Sequence, residues 1–170
     1  MKLSNKAEKV LADSRLTAID LNSEYISSLH FLIALLKSDN LPRKVFDSKN
    51  WNFEELSESL KSEKETENEI ERYFLTKEFE YTLKNVKFYS KMYFDKETKP
   101  EYILLFMLAD KKSYAGRYLR EIGMDYLIFK NESKKYREMR TSKTLEFIGS
   151  NRFLTSIGLP KNLNNLLNKT

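Results

Sequence analysis

Two stretches of the chain carry apolar residues at helical spacing in the same register, 72 positions apart. Ala7, Val10, Leu11, Ser14, Ala18 and Leu21 mark the first, and Phe79, Thr82, Leu83, Val86, Ser90 and Tyr93 fall at the matching places of the second. Each stretch opens on an apolar residue followed by a hydroxyl, Leu3-Ser4 and Leu75-Thr76. That is a helix start in which the hydroxyl can accept from an otherwise unpaired backbone N–H. The same offset lays the segment Leu29 to Leu36 over Glu101 to Leu108, and both are apolar nearly all round. Such short helices have to be buried centrally. Six large apolar side chains in one of them contribute on the order of 10 kcal/mol gross, before chain entropy is charged. Pro100 suits the first turn of the second, where its missing N–H costs nothing.

Beyond these helices the offset becomes 73, and Val45-Phe46 then matches Tyr118-Leu119, predicting a third short helix in each half. It ends at Asn50 and at Gly123, the residue types that best tolerate a left-handed helix end. Trp51, Asn52 and Phe53 match Met124, Asp125 and Tyr126, giving an Asn or Asp cap and a fourth helix. The expected fold is therefore all-α: two four-helix repeats related by an approximate twofold, eight helices in one compact domain over residues 1–140. Repeat 1 spans about 3–60 and repeat 2 about 75–139, with a polar, acidic connector over 61–72. Periodicity fades beyond Arg140, and Gly149, Gly158 and Pro160 interrupt a stretch ending in the Asn-rich 162–168, so 141–170 is expected to be a mostly irregular tail.

Composition agrees with helices joined by short connections: of 170 residues 41% are apolar and 32% charged, with four Gly and three Pro. The absence of cysteine excludes a disulfide framework, a thiolate metal site and a cysteine nucleophile. No leader-like apolar segment opens the chain and no apolar run approaches about 20 residues, so a soluble, cytoplasmic protein without membrane attachment is expected. The net charge of +5 comes from 30 basic residues interleaved with 25 acidic ones, which argues against a nucleic-acid surface. The strongest local bias, Lys130 to Arg152, reads as a solvated face; as a nucleic-acid binder it would show steep salt dependence.

Candidate chemistry is sparse. His30 is the single histidine, so no multi-imidazole metal site and no histidine-based triad can be assembled, and a structural role at a buried helix start is expected. The alternating Glu63, Glu65, Glu67, Glu69 and Glu71 lack the glycine and spacing of a calcium loop. Phe31, Phe46, Phe88 and Phe106 fall at core-facing positions by register, and Trp51 is expected to staple the fourth helix. No catalytic residue, metal, cofactor or small-molecule substrate is expected.

Two helical units, each with a Leu-Ser/Thr start and a greasy second helix, resemble the Clp repeat of the N-terminal domains that precede ring-shaped unfoldase ATPases. Leu3-Ser4-Asn5-Lys6-Ala7-Glu8-Lys9-Val10-Leu11 is similar to the family's first-helix pattern. Tyr25-Ile26-Ser27-Ser28-Leu29-His30-Phe31-Leu32-Ile33-Ala34-Leu35-Leu36 resembles its "Y-I-G-T-E-H-L-L-L-A-L-L". The resemblance covers about 3–139, and Ser142 to Phe147 with Leu154-Thr155 look like the stretch that leads towards the ATPase. The chain has no G-x-x-x-x-G-K-[ST], so it is read as a free-standing relative or the front part of a longer protein.

The resemblance implies a non-catalytic module that docks adaptors or substrate proteins for a Clp-type ATPase ring. A scaffold serving another ring ATPase, such as a secretion-associated one, is the alternative. In some members the Glu before the His of each second helix takes the guanidinium of phosphoarginine, with the hydroxyl and N–H groups at the first-helix start near the phosphate. On that pattern the candidate binding residues are Glu101, Thr76, Ser4 and Tyr102. Leu29 stands where the first repeat should carry its Glu, and Tyr102 replaces the His of the second, so at most one degenerate site is implied.

Overall fold

The computed structural model describes residues 2–49, 54–60 and 74–139. Asn50, Trp51, Asn52, Phe53, the acidic connector and the expected tail lie outside the described residues. The chain divides into two units, Met1–Ser133 and Lys134–Thr170. Of the second unit only 134–139 are described, and they are helical.

The elements are α1 (Asn5–Asp20), β1 (Tyr25–Ile26), α2 (Ser28–Lys37), α3 (Leu41–Asp47), α4 (Glu54–Leu60), β2 (Phe74–Leu75), α5 (Lys77–Asn85), α6 (Lys87–Met92), α7 (Pro100–Ala109) and α8 (Tyr114–Glu121). A last helix, α9, covers 126–139. Moving α1 by 72 positions gives 77–92, the joint span of α5 and α6; moving α2 gives 100–109, the span of α7. The first helix of the second repeat is thus one helix interrupted at Val86, where Tyr89 N–H bonds the Val86 carbonyl at 2.9 Å in a tighter turn. All-α architecture with two four-helix repeats follows, as the hydrophobic pattern predicts. Among the described residues no helix is long and apolar enough to cross a membrane.

The core sits where expected. His30 to Leu36 are buried on α2, as are Tyr102 to Leu105, Met107 and Leu108 on α7. Packing is reciprocal between the repeats: α2 lies against α8 and α3 against α7, while α2 and α7 also touch one another. Ala115 N–H donates to the buried Ser28 Oγ at 3.0 Å, tying α8 of one repeat to α2 of the other. Arginines finish both central helices, since Arg43 donates to Leu36 O at 2.8 Å and Arg120 to Leu108 O at 2.9 Å.

The sequence gives no hint of an exchange of short strands between the repeats. Tyr25 and Ile26 pair in parallel with Phe74 and Leu75, and Leu3 bridges Thr98 in the same sense. These pairings are equivalents under the 72-residue offset, as are Thr76 N–H to Ile26 O at 2.9 Å and Ser4 N–H to Thr98 O at 3.0 Å. The segment before each repeat's first helix is therefore fastened to the segment before the other repeat's second helix. This reciprocity is the approximate twofold in its most direct form.

Ends and caps mostly follow the sequence. Gly123 takes φ +88° at the end of α8, and Asp125 Oδ1 accepts from Ile128 N–H at 2.8 Å to start α9. Phe106 is half-buried, and Phe88 departs from its expected core position and is 54% exposed. Its equivalent Leu16 is 57% exposed, because that position lies half a turn round from the stripe of Ala7, Val10, Ser14 and Ala18 that each first helix buries.

Candidate functional site

The reciprocal strand pairing creates two equivalent clusters, each combining the start of one repeat's first helix with the start of the other's second helix. Ser4 belongs with Glu101 and Tyr102 at the start of α7; Thr76 belongs with Leu29 at the start of α2. The four candidate residues are therefore divided between two places, and the hydroxyl that accompanies Glu101 is Ser4 and not its own repeat's Thr76.

At the α2 cluster Glu78 dominates, a residue that motif reasoning passed over. Its Oε1 accepts from Ser28 N–H and from the Thr76 hydroxyl, both at 2.9 Å, and its Oε2 accepts from Tyr114 N–H at 3.4 Å. One carboxylate thus stands over the starts of α2 and α8, where unpaired N–H groups and the helix dipole favour negative charge. Thr76 therefore does not cap α5 with its hydroxyl as expected; the hydroxyl is spent on Glu78. A Glu two residues beyond a Thr helix start is the signal that could have been read, although in the first repeat the same position holds Lys6.

His30 lies just inside this cluster, buried, with Nδ1 accepting from Ser27 N–H at 3.0 Å. That acceptor role puts the ring proton on Nε2, which has no hydrogen-bond partner among the described residues. Burial pushes the imidazole pKa down to about 4, so the ring is neutral at pH 7. The folded pKa is below the unfolded value of about 6.5, hence the stability tied to the neutral ring is fully present above about pH 6.5 and is lost as pH falls towards 4. The expected size is about 3 kcal/mol across that window. His30→Gln keeps an acceptor for Ser27 N–H in capping-box fashion. Urea unfolding at several pH values should show wild type losing this amount relative to the variant between neutrality and pH 4; parallel profiles would refute the assignment.

The α7 cluster is built differently. Pro100 opens the helix and supplies no N–H, and Ser4 Oγ accepts from Ala7 N–H at 3.3 Å in the expected capping role. Tyr102 is 1% exposed. Its ring stacks on Tyr93 with centroids 5.0 Å apart and planes 7° from parallel, and its hydroxyl donates to Asp95 Oδ2. Lys99 Nζ also reaches Asp95, at 2.9 and 3.0 Å. Tyr102 is accordingly a packing residue in this structure; burial of its ring leaves Asp95 and Lys99 as the groups that present this cluster outward. Lys2 pairs with Glu97 at its edge, and that carboxylate raises the Lys2 pKa.

Phe94 overlooks the same cluster, 96% exposed and held at φ 53°. Its repeat equivalent Asn22 takes φ 52°, and both close the first helix of their repeat. Asparagine tolerates this conformation, whereas a phenylalanine there is strained with no burial to offset the cost. With Lys2, Lys96 and Lys99 it lines a shallow recess of about 480 Å³. Among the described residues no group of His, Asp and Glu could hold a metal ion.

Known proteins agree with this architecture. The family model for the Clp repeat (R) N-terminal domain matches residues 2–125, and the chain belongs to that family. Among solved structures, the Hsp104 N-terminal domain from Candida albicans is 17% identical, with TM-score 0.67 over 81% of this chain and 92% of that one. A structure described as part of a malarial protein secretion system is 19% identical, with TM-score 0.63 over 80% and 95%. The N-terminal domain of the caseinolytic protease associated chaperone ClpD from Arabidopsis thaliana is 13% identical, with TM-score 0.60 over 81% and 95%. At these identities the structural likeness speaks for the fold. No curated protein matches the sequence.

Proposed function

We propose that this chain is a non-catalytic protein-docking module, acting in the cytoplasm, that presents adaptor or client proteins to a Clp-type ring ATPase. Membership of the Clp repeat family supports the class of function, and one observation supports the place: Phe94, strained and almost fully exposed beside the α7 start, in a fold whose equivalent position is served by Asn22. Strain without compensating burial is retained where a partner supplies the burial. Lys2, Lys96 and Lys99 line the recess beside it, and Ser4 and Glu101 stand at the neighbouring starts of α1 and α7.

Phe94→Asn copies the first repeat and should leave the fold intact while weakening capture of adaptors or clients at least tenfold in pull-down or calorimetric titration with the host's ring ATPases. Equal binding by the variant would sink the placement. A phosphoarginine peptide separates the finer reading, since Glu101→Ala should abolish its binding if that carboxylate takes the guanidinium. Glu78 already occupies the corresponding anion position at the α2 cluster, so one such site at most is expected there and at α7 together.

A further inference from the structure

The two repeats differ sharply along the seam between their first and second helices. In the second repeat that seam is filled: Phe106 meets Tyr81 with ring centroids 6.0 Å apart and Tyr89 edge-on at 5.8 Å. At the equivalent places of the first repeat stand Ala34, Lys9 and Thr17, and there a groove of about 530 Å³ opens between α1 and the end of α2. Ala34, 2% exposed, is its floor. The protein thus contains a filled copy of its own open groove, and the filling is aromatic.

The rim adds a second, independent feature. Lys6 and Lys9 from α1 and Lys37 from α2 line the groove. None of these lysines has an ion-pair partner among the described residues, and Asp39, which also lines the groove, is engaged by Lys44 at 3.4 Å. Lys6 stands in the first turn of α1, where positive charge opposes the helix dipole, so it does not serve the helix. The second repeat reaches the same fold with Glu78, Tyr81 and Ala109 at these three places, which shows that the architecture does not require the cations. Asp13 and Asp20 line the groove further along α1.

We propose that the α1–α2 groove receives an aromatic side chain from a partner polypeptide, in a segment whose acidic residues face Lys6, Lys9 and Lys37. This rests on the reading of the chain as a docking module but concerns a different face from Phe94. A recess of this size buries one ring and its neighbouring backbone, as ligand pockets of about 300–1,000 Å³ do.

The test is an NMR titration of the full chain with a blocked peptide Asp-Glu-Phe-Glu-Asp. Saturable shifts at Lys9, Val10, Asp13, Thr17 and Ala34 are expected, weakening with salt as exposed charge pairs do. Lys6→Glu combined with Lys9→Glu, changes confined to the exposed rim, should reduce affinity at least tenfold. Grafting the second repeat's filling, Ala34→Phe with Lys9→Tyr and Thr17→Tyr, should abolish binding in a protein that still unfolds cooperatively. Replacing the peptide's Phe by Ala should also abolish it. No binding up to about 1 mM peptide, shifts centred elsewhere, or equal binding by the Ala peptide would each overturn the proposal. The Phe94→Asn variant should bind this peptide as wild type does, so failure at the α7 face and failure at the groove are read separately.

Discussion

Leu35→Ala and Leu105→Ala should each lower the free energy of unfolding by about 2–5 kcal/mol, the cost of a large-to-small change in a core that cannot collapse around the gap. Leu35 and Leu105 are fully buried on the two central helices. They lie on helices that pack against one another and against the third helix of the opposite repeat, so neighbours from both repeats fix the walls of either cavity. Lys111→Ala, in the exposed turn after α7, should change stability by less than about 0.5 kcal/mol. Urea unfolding followed by circular dichroism decides the matter. If one leucine proved as cheap as the lysine, the pair of helices would not be the shared centre of both repeats.

That centre was the most legible part of the sequence, because a helix apolar on every side has nowhere to go but inside. The segment from Leu29 to Leu36 announces burial without any knowledge of its neighbours, and the second copy at 101–108 repeats the message. Side chains on two-faced helices were harder to place. Phe88 falls in the aromatic-rich first helix of the second repeat, and only the buried stripe of α1 shows that its position points outward. The strand exchange was invisible for a different reason: Leu3-Ser4 and Leu75-Thr76 satisfy the requirements of a helix start so fully that nothing signals their second role in pairing with Thr98 and Ile26.

The candidate site was legible residue by residue but not in its grouping. Motif matching finds Ser4, Thr76 and Glu101 one at a time, whereas their association depends on which repeat's first-helix start meets which second helix, and that is decided by the exchange. Glu78 escaped for a related reason. Its partners Ser28 and Tyr114 are 50 and 36 positions away, so a residue that reads as an ordinary acidic first-turn side chain becomes the cap of two helices only in three dimensions. Phe94 could have been found by comparing the repeats at the closing residue of each first helix, since Asn22 is the residue type that position asks for.

Gly116→Ala should destabilise the protein by about 2–4 kcal/mol, opposite in sign to what its place in a helix implies. Gly116 lies in α8, where alanine is the better helix former by about 1 kcal/mol, so propensity alone predicts a gain. The structure reverses this because a Cβ there would overlap the carbonyl oxygen of Met107 and lie 2.8 Å from its carbon, backbone atoms of α7 that no rotamer change can move aside. The close approach brings α8 onto the central helix, and Arg120 then caps Leu108 O at 2.9 Å from the same helix. In the first repeat the matching residue is Arg43, so the glycine serves this particular contact and not the repeat pattern. Gly123→Ala is the informative contrast: its φ of +88° strains any side chain by about 1 kcal/mol, but nothing lies within 4 Å of a Cβ there. The two variants should therefore separate by at least about 1 kcal/mol in chemical denaturation, with Gly116→Ala alone losing hydrogen-exchange protection in α7 and α8. A stabilised Gly116→Ala protein would mean that the two helices stand further apart than described, and with them the packing of repeat 2 on its own centre.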